Sequence, residues 1–188
     1  TATRTVTVVD TTAPVVTVTG DNPVTVELGS TYTDAGATAT DLDSVTVTTE
    51  IGIGLSEIDT DSVGSTDITY TATDASGNTS TATRRVNVVD TTAPVITVTG
   101  DNPVTVELGS TYTDAGATAT DLDSVTVTTE IGIGLSEIDT DSVGSTDITY
   151  TATDASGNTS TATRRVNVVD TTAPVVTVTS GTDTVELG

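Results

Sequence analysis

Apolar and polar residues alternate with a period of two along most of the chain. Short runs in which Val, Ile or Ala alternates with Thr are separated by clusters of Gly, Asp, Asn and Ser. This pattern is typical of half-buried β-strands joined by tight turns, whereas helical periodicity is nowhere evident. In the first half of the chain it predicts strands at residues 15–19, 24–28, 31–40, 45–51, 66–73 and 79–89, with a short strand near Ile58 and a bulge at Gly36. The chain is therefore predicted to be all-β.

The last two of these strands form the clearest predicted pair. Residues 74–78, Asp-Ala-Ser-Gly-Asn, lie between them and have the composition of a hairpin turn. The inward face of this hairpin is predicted to carry Ile68, Tyr70 and Ala72 opposite Ala82, Val86 and Val88.

The same pattern occurs twice. Residues 11–90 and 91–170 are the same 80-residue sequence with one difference, Val16 in the first copy and Ile96 in the second. Residues 1–10 match the end of a repeat and are expected to be the last strand of a preceding copy, while residues 171–188 are expected to be the first strands of a following one. Tandem identity favours a structural role, since reach and stiffness grow with copy number, and it conflicts with a single closed barrel. Val16 and Ile96 are expected to share one buried site.

Composition excludes several classes of chemistry. The chain has no Cys or His, and its only cations are five arginines, so it can form neither disulfides nor Lys–Asn cross-links. The chain has no His or Cys to act as a base or nucleophile and no Lys to activate a serine. Carboxylate pairs can do acid–base chemistry, but in so acidic a chain they occur by chance, so the chain is predicted not to be an enzyme. The net charge of −22 would repel nucleic acid and anionic membranes and attract divalent cations. No apolar run approaches the roughly 18 residues of a membrane span.

Two segments resemble parts of an immunoglobulin-type domain. VTVELGSTYTDAGATATD, from Val24, resembles its A′ and B strands, and DSVGSTDITYTATDASGN, from Asp61, resembles its E–F corner, F strand and F–G turn. Tyr70 resembles a tyrosine-corner residue. With its DTTAP junction, the whole repeat is similar to the bacterial surface Ig-like domains related to hyalin (HYR) repeats. The resemblance implies Greek-key Ig-like sandwiches in a linear array, and extracellular stalks and adhesins as their setting.

The leading functional hypothesis is a structural extender, or stalk, of a secreted bacterial adhesin or surface fibre. Residues 90–94 form a short linker that ends in proline, which predicts an extended, monomeric rod of neighbouring repeats of one chain. Two alternatives remain open. The chain could assemble into a homo-oligomer or filament through strand or end-to-end contacts, or its loops could bind a glycan or protein. Adhesive surfaces usually need aromatic residues, and each copy has only two Tyr, both within strand patterns.

Two further hypotheses concern charged residues. Arg84 and Arg85 are expected to pair with carboxylates on neighbouring strands, such as Glu27 or Glu50. The acidic loops are expected to bind Ca²⁺, because in an Ig-type sandwich the B–C and F–G loops lie where the chain enters, and crowded carboxylates repel unless a cation lies between them. The predicted ligands at the junction are Asp90, Asp121, Asp123, Asp154 and Asn158, with Asp59 and Asp61 of the preceding E–F loop facing the same gap. The equivalent set is Asp10, Asp41, Asp43, Asp74 and Asn78. The alternative is that these acids are merely solvated.

Overall fold

A computed structural model describes residues 1–51, 57–131, 137–178, 180–181 and 186–187. Contacts divide the chain into two compact units. The first comprises Thr1–Pro94, Asp121–Val125 and Asp154–Asn158, and the second comprises Val95–Thr120, Thr126–Thr153 and Thr159–Gly188.

Regular structure in the described residues consists of strands alone. The first copy contains β1 (Val15–Val18), β2 (Val24–Glu27), β3 (Ala37–Thr40), β4 (Val45–Ile51), β5 (Gly64–Asp74) and β6 (Thr79–Val89). The second contains β7 (Val95–Val98), β8 (Val104–Glu107), β9 (Ala117–Thr120), β10 (Val125–Ile131), β11 (Gly144–Asp154) and β12 (Thr159–Val169).

The strands of each copy form two sheets. In the first copy β1 pairs with β3, and a four-stranded sheet has the order β2-β6-β5-β4. Neighbouring strands are antiparallel except β2 and β6, which are parallel. The second copy repeats this arrangement with β7–β9 and β8-β12-β11-β10. The prediction of an all-β, Ig-like sandwich is confirmed.

The core of each sandwich lies between its two sheets. Ile68, Tyr70 and Val86 are completely buried, and Val16 and Val18 from β1 pack against them. The predicted inward face of the β5–β6 hairpin is therefore confirmed, although Ala82 is only half-buried. Val16 and Ile96 occupy equivalent places against the two cores, as predicted, but both are half-buried rather than buried.

Several strands differ in length from the sequence prediction. The strand predicted at residues 31–40 begins only at Ala37, because Gly36 adopts a left-handed backbone with φ of 74° that interrupts an extended run. Ile58 is in no strand and instead packs, half-buried, against the core. Gly52, Gly54 and Ser56, which interrupt the alternating pattern of the sequence, lie outside the described residues. Residues 1–10 form no strand, since a single strand has no backbone partner of its own.

Arg84 lies inside the sandwich, which corrects the predicted pairing. The period of two that places Val86 and Val88 inward also places Arg84 inward, where it is only 2% exposed and pairs with Asp34. Arg85 faces outward and lies 4.0 Å from Asp67. The predicted partners Glu27 and Glu50 are wrong. Arg84 pairs with Asp34 inside the sandwich, and the residue opposite Arg85 in the neighbouring strand is Asp67.

Candidate metal centre

The structure brings the predicted loop acids together in two groups. One carboxylate oxygen from each of Asp90, Asp121, Asp123 and Asp154 lies within 4.8 Å of the others. Asp10, Asp41, Asp43 and Asp74 form the equivalent group with the same spacing. Every member of both groups falls within the first compact unit.

The loop between β3 and β4 supplies Asp41 and Asp43, two members of the group that contains Asp10. Asp41 turns the chain locally, since its Oδ1 accepts the backbone N–H of Leu42 at 2.7 Å. Asp43 reaches the β5–β6 turn, where its carboxylate accepts the N–H of Ala75 at 3.4 Å and the hydroxyl of Ser76 at 3.5 Å. These bonds hold the two loops side by side. In the second copy the Asp123 carboxylate accepts both equivalent bonds at 3.3 Å.

The β5–β6 turn supplies Asp74 and the amide of Asn78. Asp74 accepts the backbone N–H of Asn78 at 2.8 Å and its side-chain amide at 2.7 Å. Burial acts to raise the pKa of Asp74, but the hydrogen bonds from the turn outweigh it and hold the pKa below its usual value. The Asn78 amide also donates to the Asp10 carbonyl at 3.3 Å, which joins the turn to the incoming chain. The two asparagines predicted as ligands therefore position the turns through their amide nitrogens.

In each group, the aspartate that lies in the linker accepts a hydrogen bond from a threonine two residues later. Asp90 Oδ1 accepts the backbone N–H of Thr92 at 3.0 Å, and Asp10 Oδ1 accepts that of Thr12 at 2.9 Å. Glu27, at the end of β2, accepts the N–H and hydroxyl of Thr91 and the hydroxyl of Thr92, each at 2.8 Å. These bonds hold the pKa of Glu27 below its usual value. Sequence reasoning missed this Glu27–threonine contact.

Some carboxylate oxygens in the groups are buried without a partner. Asp90 is 8% exposed and Asp154 is 6% exposed. Oδ2 of Asp90, Asp121 and Asp41 has no hydrogen-bond partner in the described part of the protein. Burial, followed by the charges of Asp154, Asp121 and Asp123, raises the pKa of Asp90. The ion pairs within the described ranges involve none of these acids.

The chemistry of these oxygens fits a hard divalent cation. Ca²⁺ binds oxygen at about 2.3–2.6 Å, so ligands on opposite sides of the ion are about 4.6–5.2 Å apart, which matches the spacing in both groups. Zinc sites are usually built on nitrogen or sulfur, and the chain has no His or Cys. Mg²⁺ keeps much of its water and is usually held by one or two carboxylates. Four acids in one place therefore favour calcium among common ions.

Asp59 and Asp61 lie outside both groups. Asp59 Oδ1 accepts the backbone N–H of Asp61 at 2.9 Å, so this carboxylate caps its own loop. Asp61 lines a surface pocket that Asp90 and Asp123 also line, but its carboxylate does not join theirs. The described residues contain no helix that is both long and apolar enough to cross a bilayer.

The Glu27–threonine contact predicts a dependence of stability on pH. A carboxylate whose pKa is lowered by folding stabilises the protein above its unfolded pKa, and this contribution is lost as pH falls through the folded pKa. We expect Glu27→Gln/Glu107→Gln to unfold at lower urea concentration than wild type at pH 7, in chelator, with the difference shrinking towards pH 3. Glu50→Gln/Glu130→Gln, on the exposed face of β4 and β10, is the control. An unchanged difference at both pH values would contradict the role given to this charge.

One family model matches both copies of the repeat. It is described as "Bacterial surface protein, Ig-like domain" and covers residues 16–88 and 96–168, which together make up more than half of the chain.

Two curated proteins show similarity over long stretches. Hyalin of Strongylocentrotus purpuratus is 45% identical over 130 residues, covering 63% of this chain and 10% of hyalin. The "Serine-rich adhesin for platelets" of Staphylococcus aureus strain MSSA476 is 33% identical over 180 residues, covering 85% of this chain and 8% of the adhesin. The chain thus spans about a tenth of the length of these relatives or less.

Among solved structures, mouse cadherin-23 EC22-24 aligns with a TM-score of 0.37 and 16% identity, covering 84% of this chain and 67% of that one. The protocadherin GammaB4 extracellular domain aligns with a TM-score of 0.35 and 19% identity, covering 83% and 33%.

Proposed function

The chain belongs to the bacterial surface protein Ig-like domain family, and on that premise we propose that it is an extender segment of a surface adhesin or fibre. The families that it matches are surface and adhesin domains without enzymatic activity, so the chain is extracellular or displayed at the cell surface and is not an enzyme. In this role its repeats hold a binding domain away from the cell.

The supporting observation for the extender role is that one complete sandwich recurs almost without change. Residues 11–90 and 91–170 are, in this proposal, the units of length. The long strands β5 and β6 have 11 residues each, and at about 3.3 Å per residue each extends about 36 Å. Adding identical units increases reach without requiring a new fold.

The finer proposal is that calcium stiffens the chain at the linkers. The buried Oδ2 atoms of Asp90 and Asp121 support this proposal, because they lie among four acids without a hydrogen-bond partner in the described residues. One ion would be held by Asp90, Asp121, Asp123 and Asp154, and a second by Asp10, Asp41, Asp43 and Asp74. A bound ion would supply the positive charge that offsets the repulsion among these carboxylates. Asn78 and Asn158 would keep the turns in place through their hydrogen bonds.

Calorimetric titration with CaCl₂ tests the metal proposal directly. We expect saturable binding approaching two ions per chain, one for each group, and weaker heats with MgCl₂. Asp41→Asn/Asp43→Asn should abolish one class of site, whereas Asp101→Asn, an exposed acid outside both groups, should leave the titration unchanged. The absence of saturable binding, or equal loss in the variant and the control, would refute the proposal.

The partners of the extender are the neighbouring repeats of its own chain. Filament assembly and glycan or protein binding are the competing functions. Sedimentation velocity distinguishes an extender from a filament subunit, because an extender stays monomeric as its concentration rises and a filament subunit does not. A glycan-array screen distinguishes an extender from a glycan-binding module, because an extender shows no selective binding.

A further inference from the structure

The first and last strands of the four-stranded sheet are paired in parallel. β2 lies against β6 with Val24 opposite Val86 and Glu27 opposite Val89, four paired positions in all. β2 follows soon after the chain enters the repeat, and β6 ends where the chain leaves it. This pairing therefore connects the incoming and outgoing segments of the repeat directly.

Tension on the chain would load this ladder in a particular direction. Force on the incoming chain first reaches β1, which is paired with β3 over four positions. Once that pairing yields, the force draws β2 backwards from Val24, while force on the outgoing chain draws β6 forwards from Val89. Because the strands are parallel, these forces act at opposite ends of the ladder and slide one strand along the other. The ladder hydrogen bonds then share the load, whereas in a peeling geometry they would break one after another.

Side-chain hydrogen bonds extend the ladder at its start. Before β2, the Asn22 amide donates to the Thr83 carbonyl at 2.7 Å, and its Oδ1 accepts the backbone N–H of Arg85 at 3.1 Å. Asn22 thus behaves like one further rung between the two strands. Asn102 makes the same two bonds in the second copy, at 2.7 and 3.1 Å.

The other end of the ladder is also reinforced. The N–H of Leu28 donates to the Val89 carbonyl at 2.7 Å. The Glu27 carboxylate accepts from Thr91 and Thr92, so the bonds continue past the end of β6 into the linker. Glu107 accepts from Thr171 and Thr172 in the same way.

We propose that the β2–β6 ladder, with the side chains of Asn22 and Glu27, is a force-bearing clamp that resists unfolding under tension along the chain. This function goes beyond that of an extender, which requires length alone. It also differs from simple closure of a sheet edge. An edge contact stabilises the fold regardless of direction, whereas a clamp resists one direction of pulling far more than another.

Single-molecule force spectroscopy in chelator tests this directional property. The chain contains no cysteine, so a pair of introduced cysteines defines where the force acts. Asp21→Cys/Ala93→Cys loads the clamp in shear without passing force through β1, and Asp21→Cys/Thr81→Cys loads it as a peel; all three positions are exposed. We expect the shear unfolding force to exceed the peel force about twofold or more at equal pulling speed, because several bonds share the load. Equal forces would overturn the proposal.

A matched pair of substitutions tests which bonds carry the load. Asn22→Ala removes two bonds between a side chain and the backbone inside the clamp. Thr46→Ala/Thr48→Ala removes two such bonds outside it, from the two hydroxyls to the carbonyls of Thr73 and Thr71. Made in the first copy of a chain pulled through both ends, Asn22→Ala should weaken one of the two unfolding events, while Thr46→Ala/Thr48→Ala leaves both unchanged. Equal effects of the two variants would refute the clamp. Calcium titration of the same variants is independent, so failure of the clamp and failure of the metal proposal are distinguishable.

Discussion

Arg84→Met/Arg164→Met is expected to lower the free energy of unfolding by about 3–5 kcal/mol per repeat, the cost typical of breaking a buried ion pair from one side. The Arg84 guanidinium donates to Asp34 Oδ1, to the Tyr32 hydroxyl at 3.2 Å and to the Thr19 carbonyl. Its Cζ lies 5.9 Å from the centre of the Tyr70 ring. Removal of the arginine leaves Asp34 as an uncompensated charge against the core. Urea unfolding followed by circular dichroism measures the loss.

The adjacent arginines provide the control for this experiment. Arg85 and Arg165 have side chains that are 59% and 60% exposed, and each faces an exposed aspartate. Arg85→Met/Arg165→Met should therefore change the free energy of unfolding by less than about 1 kcal/mol. If substitution of the buried arginines and of the exposed arginines lowers the free energy of unfolding equally, the buried network does not stabilise the sandwich.

A second variant separates loss of charge balance from loss of packing. Asp34 Oδ1 also accepts the Tyr70 hydroxyl at 2.7 Å, and burial, together with this bond to Asp34, raises the pKa of Tyr70. Adding Asp34→Asn/Asp114→Asn to the methionine variant removes the unpaired charge while keeping an oxygen acceptor. Partial recovery of stability would identify the uncompensated carboxylate as the main cost. No recovery would attribute the cost to the lost arginine contacts.

Calcium is expected to raise the melting temperature of the chain by about 10 °C or more when its free concentration is about a hundredfold above the dissociation constant. Ligand binding at that ratio adds about 2.7 kcal/mol, and 1 kcal/mol shifts the melting temperature of a domain of this size by about 4–8 °C. Chelator should reverse the shift. Thermal unfolding at low ionic strength, with NaCl of matched ionic strength as the control, measures it.

Variants that lack two acids of a group should be more stable than wild type without calcium and should gain less stability when calcium is added. Without calcium, Asp121→Asn/Asp123→Asn is expected to be more stable than wild type, because it removes charges that repel Asp90 and Asp154 while keeping an oxygen that can accept the loop hydrogen bonds. With calcium it should lose the response of this group, whereas Asp101→Asn should behave as wild type in both conditions. Adding Asp41→Asn/Asp43→Asn should abolish the remaining response, since it removes two acids of the other group.

The pH dependence in chelator provides an independent check on the crowded carboxylates. Asp90 has a folded pKa above its ordinary value of 3.8, so its protonation favours the folded state. Its contribution is fully present below the unfolded pKa and is lost as pH rises through the folded pKa. Asp90→Asn should remove this part of the pH dependence. If wild type melts identically with calcium and with chelator, and Asp90→Asn has no effect, the acids are merely solvated.

Local alternation in the sequence determined most of the strands. A β-strand presents side chains to opposite faces with a period of two, so Ile68, Tyr70 and Ala72 could be assigned to the core without a structure. Gly36 marked a break at the right residue, but its left-handed backbone ends the extended run rather than forming a bulge within it. Tandem repetition made the same inferences valid for both copies.

The grouping of the acids could be inferred because it depends on fold topology. Once the repeat was assigned to an Ig-like sandwich, the loops carrying Asp121 and Asp154 had to emerge at the end where Asp90 enters. The place of Asp59 and Asp61 could not be inferred in the same way. The conformation of their loop depends on a local hydrogen bond that turns the Asp59 carboxylate back onto its own backbone.

The partners of Arg84 and Glu27 were decided by the tertiary structure alone. Alternation predicts which face a residue occupies, but not which distant side chain it meets there. Arg84 bonds to Asp34 across 50 residues of sequence, and Glu27 bonds to Thr91 across 64. Both distances are closed by the parallel pairing of β2 with β6 and by the packing of β1 and β3 over the core. Strand periodicity is a property of the local backbone, whereas these contacts depend on which strands become neighbours, and the periodic pattern carries no information about that choice.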